Sequence, residues 1–262
     1  MSEDLLVQVE DGVATLTMNR PDSLNAMSGD MMARMQTALP ELAADPEVGV
    51  VVLTGAGRGF CAGGDVKAMA ASSRDQTLEQ RAHALRQSME VSRWLHEMQK
   101  PTIAMVRGPA AGAGLSMALA CDLRIAGENA VFTTAFANVG FSGDFGGSYF
   151  LTQLVGTAKA RELYYTAAKL RAPEALALGI VNQVHGDDDL ASATYALANQ
   201  MAGGPRVALG YMKRNMNAAE SGSLGDCLDL EAWHHTRCGL TEDHREATQA
   251  FVEKRAPVFK GR

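Results

Sequence analysis

Two glycine-rich stretches carry residue types and spacings from which chemistry can be built. One centres on Gly112-Ala113-Gly114, and the other ends in Cys61-Ala62-Gly63-Gly64-Asp65. Each follows a buried-type strand, Ile103–Val106 in the first case and Val50–Leu53 in the second, and each leads into a helical segment. The first helix, roughly Ala113–Ala120, has no charge on any face and is expected to be buried; the second is expected to begin near Asp65. A helix start leaves backbone N–H groups without intrahelical acceptors, with the positive end of the dipole behind them. Glycines there let a ligand oxygen approach the backbone closely. Two such units converging on one point make an oxyanion hole, which holds a carbonyl oxygen as it becomes an enolate or tetrahedral anion.

Other chemistries compete for the same residues. Gly114-Leu115-Ser116-Met117-Ala118 lies close to the G-x-S-x-G nucleophile elbow, and His185, His234, His235 and His244 are available as triad partners. Against a serine hydrolase, the last Gly of the elbow is Ala118 and no lipase-type HGGG loop occurs. The same stretch falls short of a dinucleotide fingerprint, because position 117 is Met and no acidic residue sits about 20 residues on. Asp144-Phe145-Gly146 spells a kinase triplet without its companion catalytic loop, and there is no Walker A lysine motif. Cys61, Cys121, Cys227 and Cys238 show neither a CxxC pair nor metal-like spacing; they suit reduced thiols in a cytoplasm, and no metal site is expected.

The elements that must position these loops follow from pattern. Leu5–Val9 and Val13–Met18 alternate around Asp11-Gly12 as a hairpin. Ser28 caps a methionine-rich amphipathic helix to about Leu42, the methionines acting as core filler. Helix is expected at Thr77–Met98, and short strands at Leu123–Ala126 and Ile180–Val184. Past Asp187 the pattern is purely helical, near Leu190–Ala202, Val207–Ala219, Ser223–Cys238 and Glu242–Arg255. The 262 residues are enough for a sizeable core, and 47% hydrophobic with 21% charged residues is a globular composition. A net charge of −6 argues against nucleic-acid or anionic-membrane partners, and no apolar run is long enough to span a bilayer.

With these residues in view, the sequence resembles the crotonase, or enoyl-CoA hydratase/isomerase, superfamily. Asn19-Arg20-Pro21, Asn25-Ala26-Met27, Phe60–Met69, Lys100–Ala126 and Ala250–Gly261 carry the resemblance in family order over almost the whole chain. It implies an α/β fold, a ββα spiral over residues 1–190 with an acyl-CoA site, followed by a helical trimerisation and capping region over 191–262. It implies a homotrimer or a hexamer built as a dimer of trimers. It also implies acyl-CoA thioester chemistry in which the thioester oxygen is held by the N–H groups of Gly64 and Ala113. Ala62, Gly63, Asp65 and Gly112 would flank that oxygen, and Lys254 matches a basic position that contacts CoA, often across a subunit boundary. Arg58 and Lys67 are further candidates for the CoA phosphates. Coenzyme A is part of the substrate, and no cofactor is implied.

Departures from the family pattern bear on the reaction. The two positions where family hydratases carry glutamates are Ser116 and Phe136, and neither supplies a carboxylate. The family's I-P-G-G-G loop reads Phe141-Ser142-Gly143-Asp144-Phe145-Gly146-Gly147, as in certain isomerase and dehalogenase members that carry an aspartate there. The resemblance therefore makes Asp144 the acid/base, with Phe136, Phe141 and Phe145 as apolar walls; the competing role for Asp144 is N-cap of the helix near Gly146. Asp65 reads as a structural cap, and Trp233-His234-His235 as a packed helix face. The activity implied is enoyl-CoA isomerisation, with hydration or acyl-CoA hydrolysis or ring cleavage as alternatives. A non-catalytic acyl-CoA-binding subunit is the alternative of another class.

Overall fold

The computed structural model describes residues 3–65 and 76–262. Lys67 and the start of the helix expected after Asp65 lie outside the described residues. Asp11 and Gly12, with φ of 48° and 78°, turn β1 (Leu5–Glu10) into antiparallel β2 (Val13–Met18), as a two-residue hairpin requires. Four parallel strands extend the sheet: β3 (Val50–Gly55), β4 (Thr102–Val106), β6 (Leu123–Gly127) and β9 (Gln183–His185). The spatial order is β1-β2-β3-β4-β6-β9. The last strand begins at Gln183, later than the expected Ile180, because Ile180 and Val181 bond back to Ala175 and close the preceding helix.

A second, smaller layer decides where the glycine loops end. It contains β5 (Pro109–Ala111), β7 (Val131–Thr133) and β8 (Leu170–Arg171), in the order β5-β7-β8. Single parallel bridges prolong this layer from Ala110 to Cys61 and join Gly64 to Met27. Successive passes of the chain thus give a strand to the large sheet and then a short extended piece to the small one. That is a parallel spiral of ββα units, and it sets the Cys61–Gly64 loop beside the start of the helix after β5.

The helices fill the spaces around the two layers. α1 (Gly29–Ala44) is capped by Ser28, whose Oγ accepts the Met31 N–H. α2 (Leu78–Ser88) and α3 (Glu90–Glu97) are the helical segments expected within Thr77–Met98, and a capping box of Thr77 and Gln80 starts the first of them. α4 (Ala113–Ala120) is buried at every position, as its uncharged sequence requires. α5 (Gly147–Thr166) and α6 (Ala172–Ala177) follow. The central strands β3 and β4 are apolar on both faces because both are covered. Val51 and Leu53 face the core shared with α1, α3 and α4, while Val50 and Val52 face α7 (Leu190–Ala202).

α7 belongs to the expected helical region after residue 190, yet Leu190, Ala198 and Ala202 share one core with Val13, Ile103 and Ile125. It covers the second face of the sheet, and the helices that stand outside this core begin with α8 (Arg206–Ala219), followed by α9 (Leu224–Cys238) and α10 (Glu242–Glu253). α8 is pinned to the sheet by a buried cation. Lys213 Nζ lies 2.8 Å from Asp122 Oδ2 and donates to the carbonyls of Leu95 and Lys100, while Asp122 also accepts the Thr102 N–H. Satisfying every donor of a buried ammonium is what makes its burial tolerable. Among the described residues no helix is long and apolar enough to cross a membrane.

Candidate active site

The Cys61–Gly64 loop is held by the motifs before it. Asn25, fully buried with φ of 56°, donates its side-chain amide to the carbonyls of Ala56 and Gly59 and accepts the Arg20 N–H. The Met27 N–H bonds Gly63 O, and the Ala62 N–H bonds Leu24 O. Arg20 places two N–H groups 3.1 Å from Asp65 Oδ2 and donates a third bond to Ala26 O. Asn-Arg-Pro and Asn-Ala-Met are therefore scaffold for the loop, and Asp65 is ion-paired with that scaffold. Cys61 packs inside it, its thiol pushed up to about 12 by burial; such a thiol is no nucleophile.

Gly63 is where the loop meets α4. Its φ is 93°, and a β-carbon there would stand 2.8 Å from Ala111 O and 3.5 Å from Ala113 N. Only glycine allows both the conformation and the approach. Ala113 is the first residue of α4, behind Gly112 at φ 53°. Among the described residues neither the Gly64 N–H nor the Ala113 N–H has an acceptor. The end of the loop and the start of α4, which carry these two donors, thus adjoin at Gly63.

The loop carrying Asp144 lies over the first turn of α4. Ser116 Oγ and Tyr164 Oη both meet Gly147: a β-carbon there would stand 2.2 Å from one and 2.6 Å from the other. Gly143, Phe145 and Gly146 all have positive φ, at 113°, 50° and 76°. Left-handed backbone at a bulky residue such as Phe145 persists only where surroundings enforce it, and its ring is buried. Asp144 is half-buried, with Oδ1 sequestered and without a hydrogen-bond partner. Burial alone raises its carboxyl to about 6, where it is poised to exchange a proton near neutrality. It does not cap α5: the N-cap is Gly146, with no side-chain cap bond.

Phe136 is buried and packs beside Gly112, with its ring stacked on Tyr164 at 5.9 Å and 18°. Phe141, expected as a wall, is 57% exposed, because the turn after Phe136 directs it outward. Ala62 is exposed at the loop surface. Lys254 ends α10 in a left-handed conformation (φ 55°) with an exposed side chain, and is not among the residues that gather around Ala113. Arg58 lines a surface groove with Arg107 and Asn129.

Ser116 is no nucleophile in this setting, since its buried Oγ donates to Gly112 O and no histidine pairs with it among the described residues. His234 is packed on Tyr211 with its ring bonded to Asn215, while Trp233 and His235 on either side are exposed, so only one of the three lies on a packed helix face. Tyr164 was not singled out by sequence. Seventeen residues of straight helix would carry it about 25 Å from Gly147. Gly156, at φ 74° and ψ 163°, breaks α5 and turns Tyr164 back onto the loop. A glycine inside a helical pattern was the available signal.

Over its whole length the chain is similar to proteins of one family. The family model described as enoyl-CoA hydratase/isomerase matches residues 8–262. The 1,2-epoxyphenylacetyl-CoA isomerase of Escherichia coli is 37% identical over 269 residues, with both chains covered in full. The short-chain-enoyl-CoA hydratase of Clostridium acetobutylicum is 36% identical, covering 96% of this chain and 95% of that one. Among solved structures, a putative enoyl-CoA hydratase from Streptomyces coelicolor A3(2) superposes with a TM-score of 0.95 at 36% identity, covering 99% of this chain and 94% of that chain.

Proposed function

Because this chain belongs to the enoyl-CoA hydratase/isomerase family, whose members transform acyl-CoA thioesters, we propose that its own reaction is the shift of a double bond in an enoyl-CoA. The observation that carries the reading is Asp144: a half-buried carboxylate titrating near 6, on a loop laid over the paired N–H groups, where Ser116 and Phe136 occupy the positions expected for hydratase glutamates. The name of the Escherichia coli relative, an isomerase, supports the same class of reaction.

The thioester oxygen accepts hydrogen bonds from the Gly64 and Ala113 N–H groups. Asp144, ionised, takes a proton from the carbon between the thioester and the double bond. The electron pair moves onto the thioester oxygen as a dienolate, whose charge the two donors stabilise. The protonated Asp144 returns the proton two carbons further along, and the double bond comes into conjugation. Gly63 and Gly112 leave room for the oxygen, and Phe136 packs against the acyl group. Coenzyme A enters as part of the substrate, and the steps need no metal or further cofactor. The enzyme works in the cytoplasm as a trimer or dimer of trimers, in which Lys254 reaches CoA held by a neighbouring copy.

The test uses trans-3-hexenoyl-CoA and cyclohex-1-enylacetyl-CoA in deuterated buffer. Asp144→Asn is expected to bind acyl-CoA with similar affinity, to lose at least ~10²-fold in kcat, and to stop deuterium entry into the chain. An Asn variant that isomerises at near wild-type rate refutes the assignment. Binding of both thioesters by the wild type without turnover or exchange would instead identify an acyl-CoA-binding subunit.

A further inference from the structure

Tyr164 is a polar side chain at this site that no step above uses. We propose that it is a positioning residue for Asp144: its phenol O–H donates to the buried Oδ1 and leaves Oδ2 facing the acyl carbons. The inference rests on the reading of Asp144 as the base.

Both oxygens are buried, and neither has a hydrogen-bond partner among the described residues. Their needs are complementary, since a neutral phenol is a donor and a carboxylate only accepts. Buried polar groups left unpaired are costly and call for an explanation. The loop that carries Asp144 wraps the phenol. A β-carbon on Gly143 would lie 3.0 Å from the Tyr164 ring edge, and one on Gly147 2.6 Å from Oη, so the hydroxyl sits between the residues flanking Asp144. Stacking on Phe136 fixes the ring, and the break at Gly156 delivers it. Ser116 cannot take the role, because its hydroxyl is already given to Gly112 O.

Burial and the neighbouring Asp144 charge push the phenol up to about 12, so it stays protonated wherever the enzyme works. Catalytic hydrogen bonds are often loose without substrate and tighten in the complex. Filling the site closes the loop onto Tyr164, and the new bond favours the ionised carboxylate and fixes its orientation. Other titratable groups border the same loop at Phe145 and Gly146. Arg86, Arg93, His96 and Glu97 line a cavity of about 580 Å³ with Phe145, and Tyr149 and Glu220 bond each other beyond Phe150. Asp144 is raised by burial alone, and none of them contributes to that shift.

The readout is the titration of Asp144 itself, followed by carbon-13 NMR of aspartate-labelled protein saturated with hexanoyl-CoA, which cannot isomerise; Asp144→Asn identifies the resonance. Tyr164→Phe removes the donor and is expected to raise the Asp144 midpoint by about one pH unit. The acid limb of kcat for trans-3-hexenoyl-CoA, which reports the substrate complex, should move with it. Difluorotyrosine placed at position 164 is a stronger donor and should move the midpoint the other way, which keeps the test intact if the Phe variant folds poorly. A merely structural Tyr164 would change stability or KM and leave both midpoints in place, and that result overturns the proposal. Should Asp144→Asn retain its rate while the midpoints still move, the pairing holds and the base assignment fails.

Discussion

Replacing Asp144 by Asn should stabilise the ligand-free protein at alkaline pH while destroying its proposed activity. Its carboxyl is raised from 3.8 to about 6 by burial, with no compensating cation among the described residues. A group whose folded pKa is raised contributes fully below the unfolded value, and that contribution is lost as pH climbs through the folded value. The ionised side chain therefore costs the folded state most above about pH 7. Two units correspond to about 3 kcal/mol for a sequestered group. Asp144 is only half-buried, and solvent screening brings the figure to about 1–2 kcal/mol. For a chain of this size that is a rise in Tm of about 2–4 °C for Asp144→Asn near pH 8. About half of the gain should remain at pH 5, where the folded-state carboxyl is mostly protonated but the unfolded one is not. Scanning fluorimetry of both proteins across pH measures it. The helix-cap role predicts the reverse, a loss of stability at pH 8, where an ionised cap is most useful. A Tm difference that is negative, or independent of pH, refutes the burial argument.

Two further outcomes are expected. Fluorophosphonates should leave the protein unlabelled and Ser116→Ala should cost less than about tenfold in rate, since one buried hydroxyl bonded to its own helix contributes little; stoichiometric labelling at Ser116, seen by mass spectrometry, would overturn the enolate mechanism. Leu224, Trp233 and Phe251 are 76%, 72% and 85% exposed on the single chain. So much apolar surface is costly in water at ~25 cal/mol per Å², and light scattering at micromolar concentration should give a trimer or hexamer, a monomer refuting it.

Local chemistry determined most of the elements. The D-G turn, the Ser28 cap, the uncharged α4 and the glycine loops are each specified by neighbours within a few residues, and they stand where sequence puts them. Asn25 and Arg20 were legible as motif, but their work as clamps on the Gly63 loop appears only with the fold, because their partners lie 31 to 45 residues away. Three matters belonged to tertiary structure alone. α7 reads like the helices after it, yet it covers the sheet, since periodicity shows that a face is apolar and not what it meets. Phe141 and Phe145 are alike in sequence, and only the turn after Phe136 and the left-handed residues around Asp144 leave the first exposed and the second in the core. The place of Tyr164 against the Asp144 loop depends on a break at Gly156 that folds a helix back on its own beginning, and no local rule says where such a helix returns. Sequence supplied the donors and the carboxylate. The spiral brought the Gly63 loop against the start of α4, and long-range packing set the burial that moves the Asp144 pKa.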